Sequence, residues 1–170
     1  MGKLTFITGG CRSGKSTLAV NLAEINRGGV AFIATGLAID EEMTERIKKH
    51  KARRPKGWVT FEEPDNLGRR LKQLDQRTVL IDCVTIYLAN LLMKKRGDDG
   101  IIDEIADLLG VMRRSRSDFI IVSNEVGMGI VPATALGRRF RDLAGEVNKR
   151  LAEAADTVYL TVAGLPLKVK

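Results

Sequence analysis

The sequence predicts an α/β fold in which a mainly parallel β-sheet is flanked by helices on both faces. Two observations lead to this prediction: short β-rich runs alternate with segments of helical periodicity, and a glycine-rich turn joins the first run to the first helical segment. Alternating strands and helices form parallel sheets because each parallel connection crosses a sheet face. With 170 residues, 44% of them hydrophobic, the chain can fill one core, so we expect a single domain over residues 1–170.

The individual elements follow from two periodicities. Runs rich in β-branched and aromatic residues are predicted to be strands at 4–8, 30–35, 58–62, 79–83, 119–123 and 157–162. Apolar residues recur every three or four positions in the helices predicted at 16–26, 41–51, 66–74, 85–95, 101–114 and 136–155. A polar turn is expected at 96–100. Residues 165–170 are predicted to form a C-terminal edge strand, because Pro166 and outward lysines are tolerated where a strand pairs on one side only.

Composition favours a phosphorylated small molecule as the ligand. Lysine and arginine exceed aspartate and glutamate by 28 to 21, a net charge of +7 that suits an anionic partner. Aromatic residues make up only 5% of the chain and do not alternate with the basic ones, which argues against a surface that stacks nucleic-acid bases. No apolar run approaches the roughly 18 residues of a membrane helix, and no export signal follows Met1. We therefore expect a cytoplasmic protein without a membrane span, in which Cys11 and Cys83 remain reduced.

A phosphate-binding loop lies between the first predicted strand and the first predicted helix. Its residues match the pattern G-x-x-x-x-G-K-[ST]: Gly9, Gly10, Cys11, Arg12, Ser13, Gly14, Lys15 and Ser16. Glycines let the loop curl so that backbone N–H groups point at phosphate oxygens, and the helix N-terminus adds partial positive charge. Lys15 is expected to neutralise the β and γ phosphates. The motif predicts a purine nucleoside triphosphate as ligand.

A magnesium site is expected beside this loop. The Ser16 hydroxyl supplies one ligand, and water and phosphate oxygens complete the octahedral shell together with a carboxylate. Asp82 is the best candidate for that carboxylate because it ends the apolar run Val79-Leu80-Ile81. Aspartate is also favoured as a helix N-cap, so the sequence leaves open a capping role for Asp82 at the helix predicted over 85–95.

His50 is the single histidine, and it lies in a strongly basic segment. Arg46, His50 and Arg54 are spaced by four and would share one face of a continuing helix. A histidine at the end of a basic helix is most simply a solvated cation near the helix C-terminus. Neutral imidazole can also attack phosphorus, and the neighbouring cations could hold the phosphates being attacked. Spacing alone does not decide between these two roles.

Further motifs extend the phosphate loop into a longer pattern. They follow it as Phe32-Ile33-Ala34-Thr35, Asp40-Glu41-Glu42-Met43, Arg54-Pro55, Glu62-Glu63-Pro64, Leu80-Ile81-Asp82-Cys83-Val84-Thr85 and Ser123-Asn124-Glu125-Val126-Gly127-Met128-Gly129-Ile130-Val131-Pro132. With these motifs the chain closely resembles, almost end to end, the bifunctional adenosylcobinamide kinase / adenosylcobinamide-phosphate guanylyltransferase of cobalamin biosynthesis. A phosphate loop by itself is widespread, whereas this set of motifs in this order is specific to that family.

The resemblance implies a RecA-like P-loop NTPase fold and two consecutive reactions. The aminopropanol hydroxyl of adenosylcobinamide is phosphorylated with GTP or ATP, and GMP is then transferred from GTP to that phosphate, which releases pyrophosphate. Adenosylcobinamide and its phosphate are thus the expected partners, with GTP and Mg²⁺ as the expected nucleotide and metal. The resemblance also implies a homotrimer. The small number of aromatic residues and the complete phosphate loop argue against a nucleic-acid partner.

The resemblance also assigns roles to individual residues. A histidine matching His50 carries GMP as a phosphoramidate, which favours His50 as nucleophile. The positions expected around the guanine nucleotide are Gly9 to Ser16, Ala34, Thr35, Gly36, Lys51, Ala52, Arg53, Arg54, Glu62 and Asp82. The chain departs from the family where Tyr87 replaces a common tryptophan, Lys149 a common glutamine and Ala133 a frequent glutamate. None of these departures touches the phosphate loop or His50.

Three other functions are compatible with parts of the sequence. A small-molecule kinase without nucleotidyl transfer would use His50 only to bind phosphate. A nucleotide-switched binding module would order its loops around the γ-phosphate and bind a partner. A nucleic-acid module would use the basic segment 46–56, with affinity that falls steeply as salt rises. A label from GTP on the protein, nucleotide-dependent partner binding and salt dependence would separate these possibilities.

Overall fold

The sheet positions every part of the candidate site. The computed structural model describes residues 2–26, 28–52, 54–94 and 96–170, with the backbone but not the side chain of Arg46. Within these residues seven strands form one sheet in the order β3-β2-β4-β5-β1-β6-β7. Their bounds are β1 Leu4–Gly9, β2 Val30–Ala34, β3 Val59–Glu62, β4 Thr78–Asp82, β5 Asp118–Val122, β6 Thr157–Val162 and β7 Leu165–Lys168. All neighbouring pairs are parallel except β6 and β7.

Helices connect the parallel strands, as the alternating pattern predicts. They are α1 Lys15–Ile25, α2 Glu41–Ala52, α3 Leu67–Leu71, α4 Val84–Met93, α5 Asp98–Arg114 and α6 Ala135–Ala154. Two expectations about their ends are wrong. The predicted turn at 96–100 is too long, because α5 begins at Asp98 and places Asp98 and Asp99 in its first turn, where negative charge is favourable. Helix α3 ends at Leu71, after which Gln73 and Leu74 form tighter i to i+3 hydrogen bonds.

The two faces of the sheet are covered unequally. The larger core contains strand residues such as Phe6, Ile81 and Ile121 and the inner sides of α3, α4, α5 and α6. The predicted apolar stripe of α6 packs here through Leu143, Val147 and Leu151. The opposite face carries a smaller core in which Ala19 and Ala23 of α1 pack against neighbouring strands. Their small side chains bring α1, and therefore the phosphate loop that precedes it, close to the sheet.

The C-terminal hairpin forms the predicted edge of the sheet. Strand β7 pairs with β6 in the antiparallel sense, and every residue of β7 is exposed. The turn between them has positive φ at Ala163 (50°) and Gly164 (86°), as two-residue hairpin turns require. In the described part of the chain, no helix is long and apolar enough to cross a membrane.

Truncation of Ile121 should destabilise the protein strongly. Ile121 lies in β5 at the centre of the sheet and is 0% exposed, so Ile121→Ala leaves a cavity in the larger core. We expect a loss of about 2–5 kcal/mol in the free energy of unfolding, measured by urea denaturation. Ile130→Ala is the matched control, because Ile130 is 96% exposed and its truncation should change that free energy by less than about 0.5 kcal/mol. Equal losses in the two variants would contradict this assignment of the core.

Candidate functional site

The phosphate loop lies between the end of β1 and the start of α1, as the motif predicts. Gly9 has a φ of 149°, and a Cβ there would lie 2.4 Å from the backbone oxygen of Thr161. Gly14, with a φ of 99°, is the N-cap of α1, and a Cβ on it would lie 3.1 Å from the Cα of Gly164. The glycines of the motif thus meet two requirements here, positive φ and close approach to the β6–β7 hairpin.

The hairpin also fixes the loop through hydrogen bonds. Ser13 Oγ lies 2.7 Å from Thr161 Oγ1, and both side chains are buried. The backbone N–H of Gly164 donates to the backbone oxygen of Ser13 at 3.0 Å. The side of Ser13 that faces β6 is therefore occupied by protein contacts. Cys11 and Arg12, at the tip of the loop, are exposed.

Lys15 is held at the mouth of the loop. Its side chain is buried, and its Nζ donates to the backbone oxygens of Gly9 at 2.9 Å and Gly10 at 2.6 Å. These bonds keep the ammonium within the loop, where a bound phosphate would compete for it. The charge is thus placed for phosphate binding before any ligand arrives.

Asp82 ends β4 and lies half-buried at the same edge of the sheet as the phosphate loop. Helix α4 begins at Val84, so its N-cap is Cys83, and no side chain caps it. The alternative role of Asp82 as the N-cap is therefore wrong, because Cys83 lies between Asp82 and the first residue of α4. The carboxylate of Asp82 instead lines a cavity together with Ser16.

The end of β2 is tied to the residue after Asp82. Thr35 is fully buried, and its Oγ1 donates to the backbone oxygen of Cys83 at 2.8 Å while accepting from the Cys83 N–H at 3.0 Å. Its hydroxyl is thus engaged with the protein. Ala34 is buried and Gly36 is half-buried beside Ile47. A nucleotide contact from the segment 34–36 remains a prediction.

One cavity joins the phosphate loop, the end of β4 and the end of α2. It has a volume of about 230 Å³ and is lined by Ser16, Thr17, Val20, Asn21, Phe32, His50, Arg54 and Asp82. His50 of α2 lies far along the chain from Ser16 and Asp82, so only the fold brings these three residues to one cavity. A larger surface groove of about 750 Å³ lies between α3 and α5, and no residue of the phosphate loop lines it.

Arg54 is a half-buried cation that lines this cavity. Its guanidinium carbon lies 4.0 Å from the centre of the Phe32 ring, and Phe32 is stacked on Trp58 with ring centres 6.4 Å apart. Burial lowers the pKa of Arg54, while the charges of Asp82 and Glu62 act in the opposite direction. Its Nε is buried without a hydrogen-bond partner in the described part of the molecule. This N–H suits a ligand oxygen in the cavity.

Lys51 and Glu62 form an ion pair next to Arg54. The Lys51 ammonium donates to Glu62 Oε1, and this hydrogen bond, with the Lys51 charge, lowers the pKa of the Glu62 carboxyl. Both side chains are exposed, so the pair adds little stability. Ala52 is exposed as well. The predicted site residue Arg53 lies outside the described residues, and so does the side chain of Arg46, which was expected to share a helix face with His50.

Sequence reasoning missed four residues that line the cavity: Thr17, Val20, Asn21 and Phe32. Helical spacing contained a partial signal, because positions 17, 20 and 21 share one face of a helix that begins at the loop. Phe32 had no such signal. It alternates with core residues along β2, and only the three-dimensional structure shows that Arg54 covers its ring.

Comparison with protein families identifies the kind of protein to which this geometry belongs. Residues 5–169 match the family described as cobinamide kinase / cobinamide phosphate guanyltransferase. The chain belongs to this family. The family description names two enzymatic activities, a kinase and a guanylyltransferase, in agreement with the resemblance found from the motifs.

Relatives named as bifunctional adenosylcobalamin biosynthesis proteins are similar to this chain over nearly their whole length. The bifunctional adenosylcobalamin biosynthesis protein CobP of Pseudomonas aeruginosa is 43% identical over 168 residues, which cover 96% of this chain and 95% of the relative. The bifunctional adenosylcobalamin biosynthesis protein CobU of Escherichia coli is 39% identical over 181 residues, covering 98% of this chain and 99% of the relative. The protein of the same name from Salmonella typhimurium is also 39% identical.

A solved structure confirms the fold of this family member. The RadB recombinase matches with a TM-score of 0.57, covering 94% of this chain and 74% of that one, at 17% identity. At this identity the likeness shows the fold alone. The predicted RecA-like P-loop NTPase fold, a mainly parallel sheet flanked by helices, is confirmed.

The two cysteines should differ sharply in reactivity. Cys11 is exposed in the phosphate loop, whereas burial, and secondly the charge of Asp82, raise the pKa of the Cys83 thiol to about 11. Because thiolate is the reactive form, iodoacetamide at pH 8 should modify only Cys11 in the native protein, as read by peptide mass spectrometry. Bound GTP should slow that modification by covering the loop. In denaturant both cysteines should react. Equal labelling of Cys83 in the native protein would contradict its buried position.

Proposed function

We propose that this protein phosphorylates adenosylcobinamide and then transfers GMP from GTP to adenosylcobinamide phosphate through a guanylylated His50. The observation that carries the proposal is that His50 lines the same cavity as Ser16 and Asp82. A histidine that served only as a solvated cation at the end of a helix would not need to lie beside Ser16 of the phosphate loop. The family, defined by both activities, supports the same pair of reactions.

In the kinase step, the loop holds the nucleotide phosphates and Lys15 neutralises charge on the group being transferred. Phosphoryl transfer passes through a loose transition state, so positioned cations and N–H groups supply most of the catalysis. The hydroxyl oxygen of the corrinoid side chain forms a bond to the γ phosphorus, and the bond to the β–γ bridging oxygen breaks. GTP or ATP can serve as the phosphoryl donor, because the loop binds the phosphates rather than the base.

Ser16 and Asp82 would hold a magnesium ion beside those phosphates. A hydroxyl and a carboxylate that line one cavity match the hard oxygen ligands of Mg²⁺, which keeps several waters and phosphate oxygens in its shell. Within the described chain, no group of three or more His, Cys, Asp or Glu side chains could hold a metal, and Mg²⁺ with a nucleotide needs no such group. When bound, the ion neutralises negative charge on the phosphate oxygens.

In the guanylyl step, an imidazole nitrogen of His50 attacks the α phosphorus of GTP. A nitrogen–phosphorus bond forms, the bond to the α–β bridging oxygen breaks, and pyrophosphate leaves. A phosphate oxygen of adenosylcobinamide phosphate then attacks the same phosphorus and displaces His50, which gives adenosylcobinamide-GDP. Arg54, whose buried Nε has no hydrogen-bond partner among the described residues, is suited to bind a phosphate oxygen during both displacements.

We infer a homotrimer from the resemblance, and light scattering tests it. We also place the enzyme in the cytoplasm, where GTP and ATP are abundant. A kinase without nucleotidyl transfer and a nucleotide-switched module remain the competing functions, and the label on His50 separates both from the proposal.

GTP labelled at the α-phosphate should leave its label on His50, whereas γ-labelled GTP should not. The adduct should be stable in base and labile in acid, as a phosphoramidate is, and peptide mass spectrometry should locate it. His50→Ala should lower guanylyl transfer by at least about 10³-fold while it retains phosphorylation of the corrinoid hydroxyl, because only the first activity needs the nucleophile.

Lys49→Ala is the matched control for His50→Ala, because Lys49 is the preceding residue of α2 and does not line the cavity. It should retain both activities. If His50→Ala still makes adenosylcobinamide-GDP at the normal rate, the covalent role of His50 is wrong.

Asp82→Asn should weaken nucleotide binding in the presence of magnesium by at least about tenfold, because the amide keeps the shape but removes the negative charge that faces the cation. Binding without magnesium should change much less. Calorimetric titration with GTP, with and without Mg²⁺, measures both affinities. Asp103→Asn, on the exposed side of α5, serves as control. Equal losses of nucleotide affinity with and without Mg²⁺ would contradict the assignment of Asp82 to the magnesium site.

A further inference from the structure

Phosphorylation of a hydroxyl requires a group that accepts its proton, and neither the phosphate loop nor His50 supplies one for the kinase step. The inference below rests on that proposed kinase step. A carboxylate at the edge of the sheet that carries the loop is the natural acceptor. Among the described residues, four carboxylates at this edge are candidates: Glu62 and Asp82 end strands, Glu63 directly follows β3, and Glu125 lies three residues after the end of β5.

Three of these carboxylates are engaged elsewhere. Glu62 is paired with Lys51 at the end of β3, on the outer part of the sheet. Glu63 lies 3.4 Å from Arg70 Nε and is directed toward α3. Asp82 faces Ser16 across the cavity and is assigned to the metal. The remaining carboxylate is that of Glu125, which follows β5, the strand between β4 and β1.

Glu125 stands directly beside the phosphate-binding lysine. The backbone oxygen of Gly9 accepts hydrogen bonds from both the Glu125 N–H and Lys15 Nζ, each at 2.9 Å. One carbonyl therefore joins Glu125 to the ammonium that binds the terminal phosphates. Because β5 lies between the strand of the loop and the strand of Asp82, the backbone of Glu125 lies next to the phosphate loop.

Hydrogen bonds to one of its two carboxylate oxygens hold the Glu125 side chain in place. Oε1 accepts from the backbone N–H groups of Gly127 and, at 3.2 Å, Met128. Oε2 has no hydrogen bond within the residues that the structure describes. A carboxylate held through one oxygen keeps the other available for a substrate O–H.

The chain after Glu125 leaves an open approach for a large acceptor. Met128 is 82% exposed and Ile130 is 96% exposed, although both are apolar. These side chains lie within five residues of Glu125 in a segment without helix or strand. A bulky corrinoid with methyl-rich edges can contact such side chains while its hydroxyl reaches the carboxylate.

We propose that Glu125 is the general base of the kinase step. Its carboxylate takes the proton of the corrinoid hydroxyl as the hydroxyl oxygen bonds to the γ phosphorus. The electron pair of the breaking bond leaves on the β–γ bridging oxygen of the nucleoside diphosphate. The products are the phosphate monoester, the diphosphate and a protonated Glu125, which returns its proton to water.

Glu125→Gln separates this role from a structural one. The glutamine amide oxygen can still accept from the N–H groups of Gly127 and Met128, so the turn is retained, but the amide cannot take a proton. We expect the kcat for formation of adenosylcobinamide phosphate to fall by about 10²–10⁴-fold. Labelling of His50 by α-labelled GTP should proceed, because that step involves no corrinoid hydroxyl.

The comparison uses the full-length wild type, Glu125→Gln, Glu125→Asp and the control Glu63→Gln, each assayed for corrinoid phosphate and for the His50 label. Glu125→Asp keeps a carboxylate at shorter reach and should be faster than Glu125→Gln, whereas Glu63→Gln should match the wild type. A Glu125→Gln rate within threefold of wild type overturns the proposal. So does loss of the corrinoid phosphate and the His50 label together in both Glu125 variants, since that indicates a collapsed site. A wild type that labels His50 but makes no corrinoid phosphate refutes the kinase step itself.

Discussion

Parallel pairing of four central strands is the constraint on which the site depends. In register, Ala34 of β2 is opposite Asp82 of β4, Asp82 is opposite Val122 of β5, and Val122 is opposite Ile7 of β1. The carboxyl ends of these strands therefore meet at one edge, and each is followed by a segment of the site. The buried bonds between Thr35 and Cys83 extend this alignment beyond the last ladder pair. A slip of one residue in any pair would move the side chains to the opposite face.

The conformation of the phosphate loop depends on contacts with the β6–β7 hairpin as well as on the glycines of the loop. The β6–β7 hairpin contacts it through Thr161 and Gly164, which bond to Ser13. The space beside Gly9 and Gly14 is so limited that a side chain at either position would meet the hairpin. The C-terminal strands, which contribute no residue predicted to bind the nucleotide, therefore help to hold the loop in its phosphate-binding shape.

The two proposed reactions take place at different phosphates, γ and α, of a nucleotide bound at the same site. Transfer of the γ-phosphoryl group depends on Lys15 and on a base near the phosphate loop, whereas transfer of GMP depends on a nucleophile that can reach the α phosphorus. Glu125 follows β5 and bonds through its backbone to the phosphate loop, whereas His50 belongs to α2 and lines the cavity of about 230 Å³. Because these groups belong to different elements, we expect that each proposed reaction can be disabled without removing the other.

The sequence by itself determined the α/β class, the order of strands and helices, the phosphate loop and the candidates His50 and Asp82. These features depend on local signals: residue periodicity, glycine spacing and motifs shared with a family. Tertiary structure decided that Cys83 rather than Asp82 occupies the N-cap position of α4, that Arg54 covers Phe32 and that Thr17 and Asn21 line the cavity. It also brought Glu125 to the carbonyl of Gly9. The reason is physical, since contacts between residues far apart in the chain depend on strand order and helix placement, which no local pattern encodes.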